Sequence, residues 1–164
     1  MIEVALCNRQ QVRPINLRLL RKISIDLIEN EFAAKACDLS ICLMAAAEMA
    51  AINQRFLEHS GSTDVITFDY AETSRELRGE IFICIQDAVD QAKNFKTSWQ
   101  SELVRYVIHG ILHLQGYDDL TATKRRVMKR EEERILRATQ ERFVLNALAA
   151  RKKRIGRAKM PARR

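Results

Sequence analysis

Alternation of apolar and polar residues marks four stretches of the chain as β-strands. It runs through residues 2–7, 38–44, 63–70 and 79–85, and a period of two places successive side chains on opposite faces of a sheet. Residues 38–44 are apolar or small at nearly every position, which is typical of a strand covered on both faces. The pattern therefore predicts a four-stranded sheet.

The last two predicted strands lie too close in sequence for a helix to join them. Eight residues, 71–78, separate them, whereas a parallel crossover needs about a dozen or more. We therefore expect these two strands to pair as an antiparallel hairpin. Helices are expected to join the earlier strands, so the sheet is predicted to be mixed.

Apolar residues at spacings of three and four mark the segments between the strands as helices. Helices are predicted over residues 15–33, around 49–56, and over 86–95, 98–115 and 121–148. Pro14 suits the first turn of the first helix, Thr97 and Gln100 form a capping box before the fourth, and Thr121 caps the last. The predicted fold is a single α/β (α+β) domain, with a mixed four-stranded sheet packed against about five helices.

Composition agrees with one globular domain in the cytoplasm. The 164 residues suffice for a single core, no run of about 18 apolar residues predicts a membrane span, and the N-terminus lacks a secretory signal pattern. The cysteines have no C-x-x-C spacing, so we interpret them as reduced thiols. They are Cys7, Cys37, Cys42 and Cys84.

The net charge of +7 comes from the end of the chain. Residues 151–164 hold eight of the 28 Lys and Arg residues and no acid, so residues 1–150 hold 20 basic against 21 acidic side chains. We interpret 1–150 as the domain and 151–164 as a flexible basic tail. Either the tail binds phosphates through Arg151, Lys152, Lys153 and Arg154, or it is a solubilising terminus.

The last predicted helix also carries a dense run of charges. Its bases are Lys124, Arg125, Arg126, Lys129 and Arg130, and its acids are Glu131, Glu132 and Glu133. Because the two signs nearly balance, we interpret this run as a solvated helix face rather than a binding patch.

Candidate chemistry concentrates in residues 109–119. His109 and His113 lie one helical turn apart on one face, and Gly116 suits the end of that helix. If the chain turns back there, Asp119 can join the two imidazoles around a metal ion, with zinc the best fit and a fourth position open to water. The alternative is a pair of partly buried structural histidines.

A glutamate directly after the first histidine is the general base of His-Glu-x-x-His peptidases. Here that position holds Gly110, so a peptidase lacks its base while the metal hypothesis survives. Asp118 neighbours Asp119 and is a competing ligand or a supporting residue behind the ligands.

Three blocks of the sequence resemble the YbeY family of bacterial endoribonucleases. The stretch His-Gly-Ile-Leu-His-Leu-Gln-Gly-Tyr-Asp-Asp at 109–119 is similar to the family signature His-Gly-x-Leu-His-Leu-x-Gly-Tyr-Asp-His and departs from it at the last position. Thr-Asp-Val-Ile-Thr-Phe at 63–68 and Gly-Glu-Ile at 79–81 resemble two strand motifs of the family. The resemblance covers about residues 1–140.

The resemblance implies a zincin-like metal helix and a zinc-dependent, single-strand-specific endoribonuclease. Such an enzyme takes part in ribosome biogenesis by maturing the 3′ end of small-subunit rRNA, so the implied partners are rRNA and the small ribosomal subunit, without DNA specificity. His109 and His113 are the implied catalytic residues and, with Asp119, the implied ligands of one Zn²⁺.

Two departures from the family bear on activity. Asp119 stands where the family has a third histidine, and a carboxylate ligand makes the metal a weaker Lewis acid. Leu57 occupies the position of the family arginine, and Arg55 is the nearest substitute. Two residues on a helix correspond to about 200°, so Arg55 is only a candidate for the catalytic cation.

Two further residues are candidates with ordinary alternatives. Asp64 either orients a metal-bound histidine through its second nitrogen or caps its own backbone in a turn. His59, in the loop at 58–62, is either a substitute ligand or RNA contact, or an exposed loop residue.

The departures also keep two alternative functions open. One is a non-catalytic rRNA-binding or ribosome-assembly factor that retains the metal site. The other is a metallohydrolase acting on a different substrate, which Gly110 argues against if that substrate is a peptide.

Overall fold

A computed structural model describes residues 1–57 and 63–151, and these residues form a mixed sheet of four strands. The strands are β1 Ile2–Asn8, β2 Ala36–Met44, β3 Val65–Asp69 and β4 Glu76–Cys84. Their order is β1-β2-β4-β3. The β1–β2 and β2–β4 pairs are parallel, and β3–β4 is antiparallel. The prediction of a mixed sheet with a terminal hairpin is confirmed.

Five α-helices surround the sheet in the described residues, as predicted. They are α1 Leu17–Asp26, α2 Ala46–Leu57, α3 Ile85–Phe95, α4 Trp99–Leu114 and α5 Ala122–Arg142. A π-helical turn, Leu27–Glu31, continues α1, and a short 3₁₀ turn, Leu145–Leu148, follows α5. None of the described helices is long and apolar enough to cross a membrane.

The first helix begins later than predicted. Asn16 is its N-cap and accepts a hydrogen bond from the Leu19 N–H (3.1 Å), so Pro14 lies before the helix rather than in its first turn. Ile15 instead forms a β-bridge with Ala149. A contact with the distant end of the domain therefore decides this boundary.

The cap of α4 was wrongly predicted by one residue. Ser98, not Thr97, accepts the hydrogen bond from the Ser101 N–H (3.1 Å). Thr97 still belongs to the end of α3, since its N–H bonds to the Ala92 carbonyl (2.9 Å), and its hydroxyl donates to Glu102 (2.8 Å). Both Thr97 and Ser98 are good capping residues, so the sequence alone did not decide between them.

The last helix starts as predicted and ends earlier. Thr121 caps it by accepting from the Lys124 N–H (3.2 Å), but the backbone becomes extended at Phe143. The extended residues return the chain to the core, where Leu145 and Leu148 are buried. Burial of these two leucines outweighs the helical continuation that their spacing predicted.

The two faces of the sheet are covered unequally. Residues of α1, α3, α4 and α5 build the larger core on one face, while a smaller cluster under α2, containing Met49 and Ile66, covers part of the other. On β2, Leu39 and Ile41 are buried but Ser40 is only half-buried. Met44, at the end of the strand on the face of Ser40, is buried in the smaller cluster. The prediction that this strand is buried on both faces therefore holds fully for one face and only in part for the other.

Candidate metal centre

Helix α4 places two histidines side by side. Its buried stripe packs into the larger core and leaves His109 and His113 only partly covered. Their Nε2 atoms lie 3.0 Å apart. This short distance follows from one helical turn of separation, and it confirms that both rings point to one place.

The turn after α4 reverses the chain as the sequence predicted. Gly116 has a φ of +94°, a value that favours glycine. Its N–H bonds to the His113 carbonyl (3.0 Å), and the Tyr117 N–H bonds to the Leu112 carbonyl (3.0 Å), which together form a Schellman motif. This turn brings Asp119 back to the histidines.

The ligand-type atoms of His109, His113 and Asp119 all lie within 4.8 Å of one another. Two nitrogens that bind one tetrahedral zinc at 2.0–2.1 Å are separated by about 3.3 Å, close to the Nε2–Nε2 distance in this structure. The donor set of two imidazoles and one carboxylate is also one that zinc accepts. The arrangement is therefore compatible with a metal site.

The hydrogen-bond partners of the two Nδ1 atoms indicate which nitrogen of each ring carries the proton. His109 Nδ1 lies 2.9 Å from Glu132 Oε2, and His113 Nδ1 lies 3.1 Å from the Tyr117 carbonyl oxygen. Both partners are acceptors, so in the neutral rings the proton is assigned to Nδ1 and the lone pair to Nε2. Two Nε2 lone pairs then face each other, a contact that requires a proton or a cation between them.

Glu132 is a site residue that the sequence analysis missed. It lies on α5, is only 9% exposed, and makes the contact with His109 that had been considered for Asp64. A signal was present in the sequence, because Glu132 occupies a core position of the apolar stripe, between Met128 and Ile135. Its place beside Glu131 and Glu133 made it look like part of a solvated face.

Arg105 connects the metal centre to α5. Its Nη1 donates to Glu133 (2.6 Å) and Glu132 (3.2 Å), and its Nε lies 3.5 Å from Glu102. Burial works against the charged guanidinium, but the hydrogen bonds to Glu133 and Glu132 outweigh it and raise the pKa of Arg105. Arg105 thus remains charged, and its single positive charge is shared among three carboxylates.

Glu132 also affects the titration of His109. Burial of the ring favours the neutral form, yet the hydrogen bond and negative charge of Glu132 outweigh burial, and the pKa of His109 is raised above its usual value. Hydrogen bonding to a carboxylate also makes an imidazole a more basic ligand.

His109 opens onto a cavity of about 530 Å³. Asp64, His109, Asp119, Arg125 and Lys129 are among its lining residues. Asp64 accepts hydrogen bonds from the Val65 N–H (2.8 Å) and the Thr63 hydroxyl (3.2 Å). The structure therefore gives Asp64 a local backbone role at the edge of the cavity.

Asp118 lies in an ion pair outside the predicted ligand set. Its Oδ2 lies 2.8 Å from Lys124 Nζ, and its Oδ1 accepts from the Leu120 N–H (3.1 Å). The hydrogen bond from Lys124 lowers the pKa of Asp118. The register thus turns Asp119, rather than Asp118, toward the histidines.

Arg55 does not join the other site residues. It is exposed on α2, and its guanidinium lies 5.3 Å from the centre of the Phe56 ring. It is not among the residues that line the cavity. His59 and the tail residues Lys152, Lys153 and Arg154 lie outside the described residues, and Arg151 is exposed.

Gly110 has a packing role. A Cβ at this position would lie 2.7 Å from Cγ2 of Ile81, so the residue after the first histidine faces β4 and not the cavity. The residue is a glycine, and the packing leaves no space for a glutamate side chain at this position. The site therefore lacks the general base that a His-Glu-x-x-His peptidase uses.

Comparisons with known proteins show a family match over most of the chain. The family model described as Endoribonuclease YbeY matches residues 4–140. A protein named Endoribonuclease YbeY from Chlorobium phaeovibrioides is 34% identical over 116 residues, which are 71% of this chain and 78% of that protein. One of the same name from Parabacteroides distasonis is 34% identical over 112 residues, 68% of this chain and 78% of that protein.

A solved structure shares the fold. The solution structure of a protein from Thermotoga maritima has a TM-score of 0.66 and 24% sequence identity, and the match covers 92% of this chain and 98% of that one. At this identity the likeness concerns the fold alone.

Proposed function

The chain belongs to the YbeY family of endoribonucleases, and from this premise we propose that it is a metal-dependent endoribonuclease that cleaves single-stranded RNA. Residues 1–150 form the catalytic domain in this proposal. The substrate class follows from the family, and the chemistry is supported by the metal centre.

One observation supports the metal centre above the others. The Nε2 atoms of His109 and His113 face each other at 3.0 Å while both Nδ1 atoms meet acceptors. In two neutral rings this leaves two lone pairs directed at one point beside the Asp119 carboxylate, which is the donor geometry of a cation site. In the structural alternative one ring donates its Nε2–H to the other, which requires that imidazole to be protonated because both Nδ1 atoms already meet acceptors.

Zinc is the proposed cofactor, held by His109, His113 and Asp119. When bound, a zinc ion with an open position lowers the pKa of a bound water and polarises a phosphoryl oxygen. The protein supplies the rest: Glu132 and the Tyr117 carbonyl orient the two rings, and Lys129 and Arg125 bring positive charge to the same cavity.

Lys129 and Arg125 are candidates for the catalytic cation because Leu57 occupies the position where the family has an arginine. Arg55 remains the catalytic candidate from sequence, but it lies on the exposed surface of α2. Lys129, by contrast, has no ion-pair partner within residues 1–57 and 63–151 and lines the cavity. We expect Lys129→Gln to reduce cleavage more than Arg55→Gln does.

The finer biological role follows the family. We assign the activity to maturation of the 3′ end of small-subunit rRNA during ribosome biogenesis in the cytoplasm, with rRNA and the small ribosomal subunit as partners and no DNA specificity. Arg151 and the neighbouring Lys152, Lys153 and Arg154 are proposed to add phosphate contacts.

The experiment is cleavage of a single-stranded RNA by purified full-length protein, with zinc, with a chelator, and as the His113→Ala variant purified in parallel. We expect cleavage only by the zinc-loaded wild type. Activity that His113→Ala retains would exclude the metal mechanism. Elemental analysis, with His109→Ala as control, identifies the metal.

A second candidate function is a non-catalytic rRNA-binding assembly factor with the same metal site. The exposed position of Arg55 and the carboxylate ligand Asp119 favour it. RNA binding and bound zinc without cleavage would support this candidate, whereas zinc-dependent cleavage that His113→Ala abolishes would exclude it.

A further inference from the structure

Helix α5 carries eight bases and four acids, and the structure shows which of them are paired. Glu132 and Glu133 turn toward Arg105, and Glu131 pairs with Arg134 (3.0 Å). Arg125 of the same helix is exposed and donates to the Asp119 carbonyl (3.0 Å). Four further exposed cations of α5 make neither an ion pair nor a side-chain hydrogen bond within the described residues. They are Arg126, Lys129, Arg130 and Arg137.

We propose that these four side chains form a track for the phosphate backbone of single-stranded RNA, which leads along α5 into the metal centre. We call Arg126, Lys129, Arg130 and Arg137 the α5 track. The proposal deepens the proposed function, since it assumes RNA as the substrate, and it assigns a binding surface that is separate from the tail.

Helix geometry aligns the track. Positions 126, 130 and 137 fall within about 40° of arc on an α-helix and span about 16 Å along its axis. Glu133 lies on the same face, but its carboxylate is 2.6 Å from Arg105 Nη1, which offsets part of its charge. An exposed row of arginines is therefore left along the helix.

The track is continuous with the metal centre through Lys129. This residue lines the cavity that contains His109 and Asp119, and it also lines a surface groove with Arg126, Arg130 and Arg137. An RNA strand that follows the arginines therefore reaches the metal centre. Glu141, at the far end of the helix, is the one acid of α5 without an ion-pair partner in the described part of the chain.

The chemistry of the track fits phosphates better than bases. Guanidinium groups bind phosphate oxygens in bidentate geometry, and no aromatic side chain on which a base could stack is among the described residues that line the groove. The expected binding is thus independent of sequence and sensitive to salt. An acidic protein surface is the competing partner, and it predicts that RNA affinity does not depend on these arginines.

The test is binding of a fluorescein-labelled oligouridylate to the metal-free full chain, followed by anisotropy at increasing salt. The variant is Arg126→Gln/Arg130→Gln/Arg137→Gln, which leaves Lys129 and the metal ligands intact. The matched control is Arg18→Gln/Lys35→Gln/Arg75→Gln, which removes three exposed cations on α1 and before β2 and β4.

For single strands, each lost phosphate contact reduces the slope of log K against log salt by about 0.7. We therefore expect the track variant to lose about 2 from this slope and roughly tenfold or more in affinity at low salt, while the control changes little. Replacing the same three arginines with lysines should retain the slope, because the charges remain.

Equal losses in the track variant and the control would show a general charge effect and overturn the proposal. Unchanged RNA affinity in the track variant would overturn it in favour of an acidic protein partner. This assay measures binding and involves no cleavage. Failure of the endoribonuclease proposal would appear as missing RNA products in the zinc-loaded cleavage assay. Failure of the track would appear only as unchanged binding in the anisotropy assay.

Discussion

The orientation of one imidazole ring depends on a residue 23 positions away. His109 presents Nε2 to the predicted metal because Glu132 accepts a hydrogen bond from Nδ1 (2.9 Å). Carboxylates behind metal-bound histidines fix the tautomer and the ring orientation, and their loss costs about 10- to 100-fold in metal affinity or activity.

We expect Glu132→Ala to weaken zinc binding by about 10- to 100-fold, and Glu132→Gln to weaken it less, since an amide oxygen can still accept from Nδ1. The measurement is competition for zinc with a chromophoric chelator. Glu133→Gln is the control, because this substitution also removes one negative charge. Glu133 contacts Arg105, as Glu132 does, but it does not contact His109. Equal zinc affinities of Glu133→Gln and Glu132→Ala would contradict this role.

Helix α4 is held against the sheet more closely than its sequence suggests. Gly110 leaves no room for a Cβ beside Ile81 of β4, and the neighbouring Ile108 and Ile111 are fully buried. The glycine therefore sets the distance between the metal helix and β4, and with it the position of both histidines.

We expect Gly110→Ala to lower the free energy of unfolding. Overpacking against Ile81 costs about 1–3 kcal/mol, which exceeds the gain of about 1 kcal/mol from replacing a helical glycine with alanine. Urea unfolding measures the effect. The clash should disappear in Gly110→Ala/Ile81→Ala, so the double variant is expected to lose less than the sum of the two single variants. If the losses of the two single variants simply add in the double variant, or if Gly110→Ala is more stable than the wild type, Ile81 and its neighbours accommodate the added methyl group without strain.

At the level of elements, periodicity predicted which segments are helices and strands, and long-range contacts decided where they end. The hairpin of β3 and β4 followed from a short connection, and the start of α5 from Thr121. The end of α5 did not, because burial of Leu145 and Leu148 draws the chain out of the helix. Likewise, α1 starts late because the residues before it pair with Ala149.

At the scale of the whole molecule, two groups of cations are proposed to contact RNA: the α5 track and the tail. Deletion of residues 151–164 removes eight cations. The core that the structure describes ends at Leu148, so we expect the thermal midpoint to stay unchanged. RNA affinity should fall and its salt dependence should flatten, since fewer counterions are released on binding. Anisotropy of the same labelled oligouridylate at increasing salt tests this. An unchanged slope would leave the tail as a solubilising terminus.

Combining the deletion with the track variant tests whether the two surfaces act separately. If they contact different phosphates, their effects on the free energy of binding should add. A combined loss no larger than the larger single loss would mean that both compete for the same part of the RNA.

The sequence by itself determined the elements, the mixed sheet and the group of His109, His113 and Asp119. All of these depend on relations over a few residues: the period of two or 3.6, the histidine pair one turn apart, and the glycine that permits a positive φ. Local stereochemistry is the same wherever the segment lies in the fold, so these features could be read without knowing it.

Only the tertiary structure decided which charges of α5 are paired. In the sequence, Glu131, Glu132 and Glu133 follow a run of bases and look like part of one solvated face; in the fold, Glu132 turns to His109, and Glu133 turns to Arg105. The direction in which a charged side chain points depends on the packing of α5 against α4, a contact between segments far apart in the chain. Local charge counting contains no information about that contact, and it therefore missed the role of Glu132 beside His109.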